Sequence, residues 1–531
     1  MSARFPAPRS SPDPLRLIRD SSAPQALFLS LAILTVPFAL LGFTRGIDGD
    51  EGYYLLAAKL VGETQTLYSD FLYTQMPLLP YAYSLWLTVV GISWLSARAF
   101  SIALAIALGV LLFYSLLKAR HSPNLALLGV VLYSSSSLAL GWFTVVKTYA
   151  LSTFFLLSAY VVLYHVPRLS PRYSWLLSGF LFGCAVNTRL FLAAVLPAFL
   201  ASLYARTGNA STVRFVLSFG WYIGGIVIAL LPDLYFLFKS PSSFLFGNLD
   251  YHFMRSDMTL REALWQKVEV AVSVVGINTT TDGVGVFFQF KVLLLFNVLY
   301  FRQKWRRERL DTAFYVAAII CCINFAPTPT YGQYFSVAVP FLIISAVSWL
   351  HDGCIGAGRR TPREIAHSTW IVPWLLIGVY LVLAPISIYR LTLSGLDVPG
   401  LHGKLDMVTW RISTVRAVSR KIDELAREDA YVVSWWPGYL VETSAKILPG
   451  LENNFGRIIA GKLDIDRRRQ YGVLTHAELM RRMEQGAYPA VLGRNENPDT
   501  VAIRIALQTM GYEMGAQVGG TEIYVKRQPP Q

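Results

Sequence analysis

Long apolar segments with almost no charged side chains recur along the chain up to about residue 390. Each is about 17–25 residues long, the length with which an α-helix crosses roughly 30 Å of hydrocarbon. The pattern therefore predicts a polytopic α-helical membrane protein. The eleven expected spans are 26–43, 97–117, 124–142, 148–166, 174–188, 190–204, 215–237, 284–301, 312–327, 334–350 and 369–389.

The apolar segment 77–91 is about 14 residues long and has Pro77 and Pro80 at its start. It is too short to span comfortably, so we expect a helix that lies on or in the outer leaflet. With this helix lying flat, every loop rich in Lys or Arg falls on the cytoplasmic side, as the positive-inside rule requires. These loops are 118–121, 167–172, 205–214, 302–311 and 351–367.

The pattern changes after residue 390, where charges become frequent and apolar runs shorten. Helical and strand periodicities then alternate, which is typical of a small α/β domain. Helices are expected at 411–428, 475–486 and 500–510, and strands at 430–436, 488–493 and 521–526. We therefore expect three parts in the chain: a disordered cytoplasmic tail (1–25), a transmembrane domain (26–390) with an acidic first outer loop (44–96), and an extracytoplasmic α/β domain (391–531).

Composition supports the membrane assignment, because 54% of the 531 residues are apolar. The net charge of +14 raises the question of nucleic acid. However, most Lys and Arg side chains lie in short loops between apolar segments or after them. Membrane topology and anionic lipids explain such a distribution, so we expect membrane lipids and no nucleic acid among the partners.

One cluster of acids lies just past the first expected span, in the stretch 47-IDGDEGYY-54. Asp48, Asp50 and Glu51 could form a solvated loop, a DxD motif for a metal ion and a nucleotide-sugar, or the site of an enzyme that uses a lipid-phosphate sugar. A DxD motif belongs in a soluble nucleotide-binding domain, and the pattern predicts none. Nucleotide-sugars also stay on the cytoplasmic side of the membrane.

The third interpretation suits the position of the acids. An acceptor hydroxyl is a weak nucleophile and needs a carboxylate base within hydrogen-bond reach. A polyprenyl-phosphate leaving group is already activated, but its developing charge needs cations or hydrogen-bond donors. The lipid tail must lie in the bilayer while the sugar stays at the interface, where this stretch is expected.

Several sequence features occur in a fixed order along the membrane part. They are the Asp50-Glu51 pair after the first span, Pro77-Leu78 opening a short helix, Arg98 entering the next span, a Gly-rich span at 179–199 and a Tyr-x-x-Tyr run at 331–334. In this order and spacing they resemble GT-C superfamily membrane glycosyltransferases. The resemblance is greatest to bacterial relatives of the dolichyl-phosphate-mannose protein mannosyltransferases and of the lipid A aminoarabinose transferases.

The resemblance implies that Asp50 is the catalytic base, with Glu51 and Asp48 orienting it, the acceptor or a metal ion. Many relatives carry a further acid on the second outer loop, where this chain has Lys147 instead. Lys147 and Arg189 are expected to stabilise the leaving phosphate, although interfacial snorkelling would also explain them.

Four more residues are candidates for substrate binding: His252, Arg255, Tyr331 and Gln333. A divalent metal ion is a candidate cofactor. No ligand set can be assigned to it, because His252 is the only histidine in 239–283 and the acids of that segment lack a recognised ligand spacing.

The sequence thus predicts an inverting glycosyltransferase in a bacterial inner membrane. It would move a sugar from a polyprenyl-phosphate carrier to a lipid, glycan or protein acceptor on the outer face. A polytopic lipid or glycolipid transporter is the alternative. Transporters place ionisable residues near the bilayer midplane, whereas these spans are almost free of charge.

Overall fold

The computed structural model describes residues 23–119, 121–166, 170–207, 212–275, 287–305, 310–357, 371–392, 404–493 and 500–527. Several predicted regions lie wholly or partly outside these ranges. Of the predicted cytoplasmic tail, residues 1–22 are not described, and of the predicted basic loops the positions 120, 167–169, 208–211, 306–309 and 358–367 are not described.

The membrane part is helical, and most of its helices coincide with the predicted apolar segments. The helices are α1 (Ala23–Thr44), α2 (Gly49–Gly62), α3 (Leu78–Val90), α4 (Trp94–Lys118), α5 (Pro123–Ser134), α6 (Ser137–Phe143), α7 (Thr148–His165), α8 (Pro171–Thr188), α9 (Leu196–Thr207), α10 (Thr212–Lys239), α11 (Pro241–Leu245), α12 (Tyr251–Met254), α13 (Leu260–Val275), α14 (Phe288–Lys304), α15 (Thr312–Ile323), α16 (Val339–Ala357) and α17 (Ile371–Thr392). Helices α2, α11, α12 and α13 lie in segments for which no helix was predicted. Short 3₁₀ segments (Leu190–Val195 and Gly332–Ala338) precede α9 and α16, and a π-helical turn (Phe246–Asp250) precedes α12.

Seven helical segments among the described residues are long and apolar enough to cross a membrane. The pair α5 and α6, bent by 64° at Ser135-Ser136, would be an eighth. The predicted fold class is confirmed, but the count of eleven spans is not. Predicted span 312–327 forms a helix of only 12 residues, which rises about 18 Å and falls short of the roughly 30 Å hydrocarbon core.

The short helix predicted at 77–91 is present as α3, which has 13 residues and is not among the helices long enough to span; its position in the outer leaflet stays a prediction. The expected acidic loop 44–96 is largely helical, since it contains α2 and α3. The acids were expected on a loop, and this detail was wrong: Asp48 is the N-cap of α2, and Asp50 and Glu51 lie in its first turn.

The C-terminal part folds as an α/β unit. Its helices are α18 (Lys404–Thr409), α19 (Ile412–Leu425), α20 (Gly456–Ala460), α21 (Ile465–Tyr471), α22 (His476–Gln485) and α23 (Thr500–Thr509), and its strands are β1 (Tyr431–Ser434), β2 (Lys446–Ile447), β3 (Ala490–Leu492), β4 (Tyr512–Val518) and β5 (Thr521–Lys526). The sheet order is β2-β1-β3-β5-β4. Strand β1 runs parallel to β2 and β3, whereas β5 runs antiparallel to β3 and β4.

Sequence patterns explain why these elements form. Helix α22 begins at a capping box in which Thr475 and Glu478 satisfy each other's backbone N–H groups. Helix α19 is amphipathic and buries Val415, Val418 and Ile422. One contiguous buried cluster runs from the membrane helices through α2 into the sheet. The C-terminal unit is therefore packed against the part of the chain that carries the acids.

Candidate active site

The first turn of α2 holds three acids in fixed positions. The Asp48 carboxylate accepts a hydrogen bond from the Asp50 backbone N–H (3.1 Å), and the Asp48 N–H donates to Oε1 of Glu51 (2.7 Å). This capping box satisfies N–H groups that would otherwise lack partners at a helix start. Carboxylates are also favoured there by the helix dipole.

Glu51 lies beneath the site and is fully buried. The Arg98 guanidinium binds it with two hydrogen bonds of 2.6 Å, one to each carboxylate oxygen, and the Val146 N–H donates to Oε2 at 2.9 Å. Both oxygens are thus occupied by the protein. Glu51 joins α2 to α4 and to the segment before α7, and this arrangement suits a positioning residue rather than a group that meets substrate.

Lys147 lies between the other two acids. Its Nζ atom is 2.6 Å from Oδ1 of Asp48 and 2.7 Å from Oδ2 of Asp50. Burial alone would lower the pKa of Lys147, but the two carboxylates outweigh it and raise that pKa above its ordinary value. The lysine is therefore an ammonium ion whose charge is shared by two carboxylates, an arrangement that the sequence reasoning did not foresee.

The two aspartates differ in their surroundings. Asp48 is 3% exposed, and Lys147 and Arg45 outweigh the effect of burial and hold its pKa below the usual value. The Asp50 side chain is 37% exposed to the cavity. Its enclosed position raises its pKa, against the lowering effect of Lys147, and the neighbouring Asp48 charge raises it further. Asp50 is thus the more basic and the more accessible carboxylate.

A cavity of about 420 Å³ opens above Asp50. Distant parts of the chain line it together: the start of α2, the loop before α3, the segments around 147–149 and 189–191, α12, the loop before α16, and the C-terminal unit. Of the nine residues predicted for the site, eight line this cavity and Glu51 does not. The eight are Asp48, Asp50, Lys147, Arg189, His252, Arg255, Tyr331 and Gln333.

Three arginines line this cavity: Arg189, Arg255 and, in the C-terminal unit, Arg457. The Arg189 guanidinium lies over the rings of Tyr149 and Tyr334, each 4.8 Å from the ring centroid. Arg255 donates to the carbonyl oxygens of Thr328 and Pro329, both at 3.1 Å. Within the described ranges, neither Arg189 nor Arg255 forms an ion pair with a carboxylate. Tyr334 joins these two arginines, because its hydroxyl also lies 3.3 Å from Arg255 Nη2.

A second cavity, of about 480 Å³, adjoins the first and shares Gln75, Phe191 and His252 with it. Its other walls are mostly apolar and come from α12, α13 and the loop at 326–328. Burial and the nearby Arg255 charge lower the pKa of His252 to about 4, so this imidazole is neutral near pH 7. A neutral histidine thus lies between the polar and the apolar cavity.

The C-terminal unit forms the wall that faces α2, and sequence reasoning missed these residues. They are Trp410, Trp435, Trp436, Asn454, Phe455, Arg457 and Ile458. The indole N–H of Trp436 donates to the Gly49 carbonyl oxygen at 2.7 Å. Gly52 permits the close approach, because a Cβ there would lie 2.6 Å from the Trp436 ring. The tandem Trp pair after strand β1 was the available signal.

The comparisons with known proteins agree with the predicted resemblance. Residues 74–236 match the family model described as dolichyl-phosphate-mannose-protein mannosyltransferase. ArnT from Cupriavidus metallidurans bound to undecaprenyl phosphate matches with a TM-score of 0.64 and 12% identity, covering 96% of this chain and 100% of that chain. ArnT from the same organism in the apo state gives 0.63 and 13%, with the same coverage. No curated protein sequence matches the chain.

At 12–13% identity the structural matches show the fold alone. Together with the sequence match over 74–236, they confirm the resemblance to GT-C superfamily membrane glycosyltransferases. The chain therefore has an ArnT-like fold with several membrane-spanning helices and a small C-terminal sheet.

Proposed function

We propose that this protein is an integral-membrane glycosyltransferase that moves a sugar from a polyprenyl-phosphate carrier to an acceptor hydroxyl. One observation carries the proposal. A single cavity contains a partly exposed carboxylate with a raised pKa, Asp50, and two guanidinium groups, Arg189 and Arg255, that form no ion pair with a carboxylate among the described residues. A base for the acceptor and cations for a phosphate are the groups that this chemistry requires.

The two arginines would bind the phosphate of the donor. Guanidinium groups form charge-assisted hydrogen bonds with phosphate oxygens and stay protonated at any physiological pH. Tyr149 and Tyr334 hold the Arg189 guanidinium in place, and backbone carbonyls hold that of Arg255. Cations fixed in advance stabilise the charge that develops on the leaving phosphate without reorganising.

Asp50 would accept the proton of the acceptor hydroxyl. The acceptor oxygen bonds to the anomeric carbon, and the bond from that carbon to the phosphate oxygen breaks with its electron pair on the phosphate. The hydroxyl proton goes to Asp50, whose raised pKa makes it a better proton acceptor than an ordinary aspartate. Attack opposite to the leaving phosphate would invert the anomeric configuration, as the resemblance implies.

The adjoining apolar cavity would accept the first isoprenoid units of the carrier. It shares His252 and Phe191 with the polar cavity, so a phosphate in one could continue into a lipid chain in the other. A bound undecaprenyl phosphate in the ArnT structure of the same fold supports this assignment. A predominantly apolar lining is what a hydrocarbon ligand requires.

The reaction would take place on the outer face of a bacterial inner membrane. The distribution of basic loops supports this orientation. The C-terminal unit would lie on the same side, because it contributes the wall opposite Asp50. The acceptor, a lipid, glycan or protein, would enter between this wall and α2.

A transfer assay tests the proposal. Purified protein is incubated with a radiolabelled polyprenyl-phosphate sugar and an envelope fraction as acceptor, and the rate at which label enters the acceptor is measured. Asp50→Asn should reduce the transfer rate by about 10²–10⁴-fold, the usual contribution of general-base catalysis. The matched control is Glu63→Gln, which removes an acid just beyond the other end of α2 and should leave the rate unchanged. Equal transfer by Asp50→Asn and wild type would contradict the assignment, and a wild type that transfers no sugar would leave the transporter alternative.

A further inference from the structure

Lys147 occupies the space between the two aspartates at the start of α2. Its ammonium lies 2.6 Å from Asp48 and 2.7 Å from Asp50, and its side chain is only 3% exposed. The ring of Trp142 covers it at 5.0 Å from Nζ to the centroid. A second cation, the Arg45 guanidinium, lies 4.6 Å from the centroid of the same Trp142 ring. The ammonium is therefore enclosed and held by two carboxylates.

A pair of carboxylates on one turn would, without this lysine, suit a divalent cation. Mg²⁺ and similar ions are commonly held by one or two carboxylates, with water and substrate phosphate as the remaining ligands. Here such an ion would have to displace the ammonium, leaving a buried lysine without its counter-charges. Among the residues that the structure describes, no group of three or more His, Cys, Asp or Glu side chains is placed to hold a metal ion. The residues present do not fit a metal site.

We propose that the Lys147 ammonium is the built-in counter-cation of the Asp48–Asp50 pair and takes the place of a divalent metal ion, so that transfer needs no such ion. Lys147 is then a positioning residue that holds Asp50 towards the acceptor. The leaving phosphate is bound by Arg189 and Arg255, and not by Lys147 as the sequence suggested. This inference rests on the proposed function, except for the claim that Lys147 fills the place of a metal ion, which a metal-binding measurement tests by itself.

The charges balance through the reaction. Before transfer, the ammonium hydrogen-bonds both carboxylates. When the acceptor proton moves to Asp50, that side chain becomes neutral, and Lys147 keeps Asp48 as its counter-ion. The positive charge thus stays in the site while the phosphate gains negative charge, and no external cation has to enter or leave.

Manganese binding tests the inference without reference to activity. The protein is purified, treated with EDTA, and titrated with MnCl₂, and bound Mn²⁺ is measured by electron paramagnetic resonance and elemental analysis. Wild type should bind no Mn²⁺ at this site. Lys147→Met should bind about one Mn²⁺ per chain, because the two carboxylates then lack a cation. Adding Asp48→Asn to Lys147→Met should abolish the binding.

The control is Lys59→Met. Lys59 is also buried, but its ammonium donates to the carbonyl oxygens of Leu440 and Thr443 rather than to a pair of acids. This variant should gain no Mn²⁺ site, which separates the effect of the acid pair from that of removing any buried lysine. Thermal unfolding of each variant confirms that it is folded before binding is interpreted.

Activity gives a second measurement. Wild-type transfer should be unaffected by EDTA, whereas Lys147→Met should lose about 10–100-fold in EDTA and regain part of that loss with MnCl₂. The inference is overturned if wild type binds one Mn²⁺ that Asp48→Asn removes, if EDTA abolishes wild-type transfer, or if Lys147→Met binds no Mn²⁺. If no sugar transfer is found at all, the proposed function fails, while the manganese titration still decides the role of Lys147.

Discussion

Breaking the Glu51–Arg98 pair should destabilise the protein more than breaking any ion pair near its surface. In Arg98→Met, a fully buried carboxylate keeps only the N–H groups of Asp48 and Val146 as partners. Removing one partner of a buried pair typically costs about 3–5 kcal/mol, because the remaining charge is left uncompensated. Arg98 also donates to the Gly42 carbonyl oxygen, and this bond to the end of α1 is lost as well.

A double-mutant cycle measures this coupling. The variants Arg98→Met, Glu51→Gln and the double variant are purified in detergent, and their thermal unfolding is followed by tryptophan fluorescence. Each single variant should lower Tm by roughly 5 °C or more. The double variant should lose less than the sum of the two, because it leaves no unpaired buried charge. Arg416→Met is the control, since that guanidinium is 42% exposed in its pair with Glu442 and should cost about 0–1 kcal/mol.

Two outcomes would refute this reasoning. If Arg98→Met unfolds at the same temperature as Arg416→Met, the buried pair does not hold α2 in place. If Glu51→Gln keeps the wild-type Tm but loses transfer activity, Glu51 acts in the chemistry and not through the position of the acids.

Two further predictions follow from the walls of the cavity. Gly52→Ala puts a methyl group 2.6 Å from the Trp436 ring, so it should lower the free energy of unfolding by about 1–3 kcal/mol and make the C-terminal unit more sensitive to protease. Gly49→Ala is the control, because a Cβ there has no atom within 4 Å and should change neither property. Equal proteolysis of the two variants would contradict the close packing. Arg189→Met and Arg255→Met should each weaken the binding of polyprenyl phosphate by about 10–100-fold in a direct binding assay, because each loses charge-assisted hydrogen bonds to the phosphate. Unchanged affinity in both variants would show that the two arginines do not bind the donor.

Hydrophobic length and periodicity predicted the fold class and most of the C-terminal elements. The helix at 475–486 and the strand at 521–526 were placed nearly at their observed bounds, because a capping box and β-branched alternation are local signals. The number of spans was not predictable in this way. Apolar segments that form a 12-residue helix or bend at Ser135-Ser136 look the same to a hydropathy pattern as full spans.

For the site, the sequence predicted which residues take part but not which of them contact each other. Asp50 and Arg189 were recognised by position, whereas the contact of Lys147 with the aspartates joins residues almost one hundred positions apart. The wall formed by Trp435 and Trp436 lies almost four hundred positions from α2. Such contacts depend on tertiary packing, which a local pattern does not encode.

The central claim is that the polar cavity holds the phosphate of a polyprenyl carrier next to Asp50. A cryo-electron microscopy structure of the purified protein with polyprenyl phosphate tests it most directly. We predict phosphate density in contact with the guanidinium groups of Arg189 and Arg255, lipid density in the apolar cavity beyond His252, and Lys147 still bound to the two aspartates. Head-group density outside this cavity, or at Lys147 with both arginines unoccupied, would contradict the account.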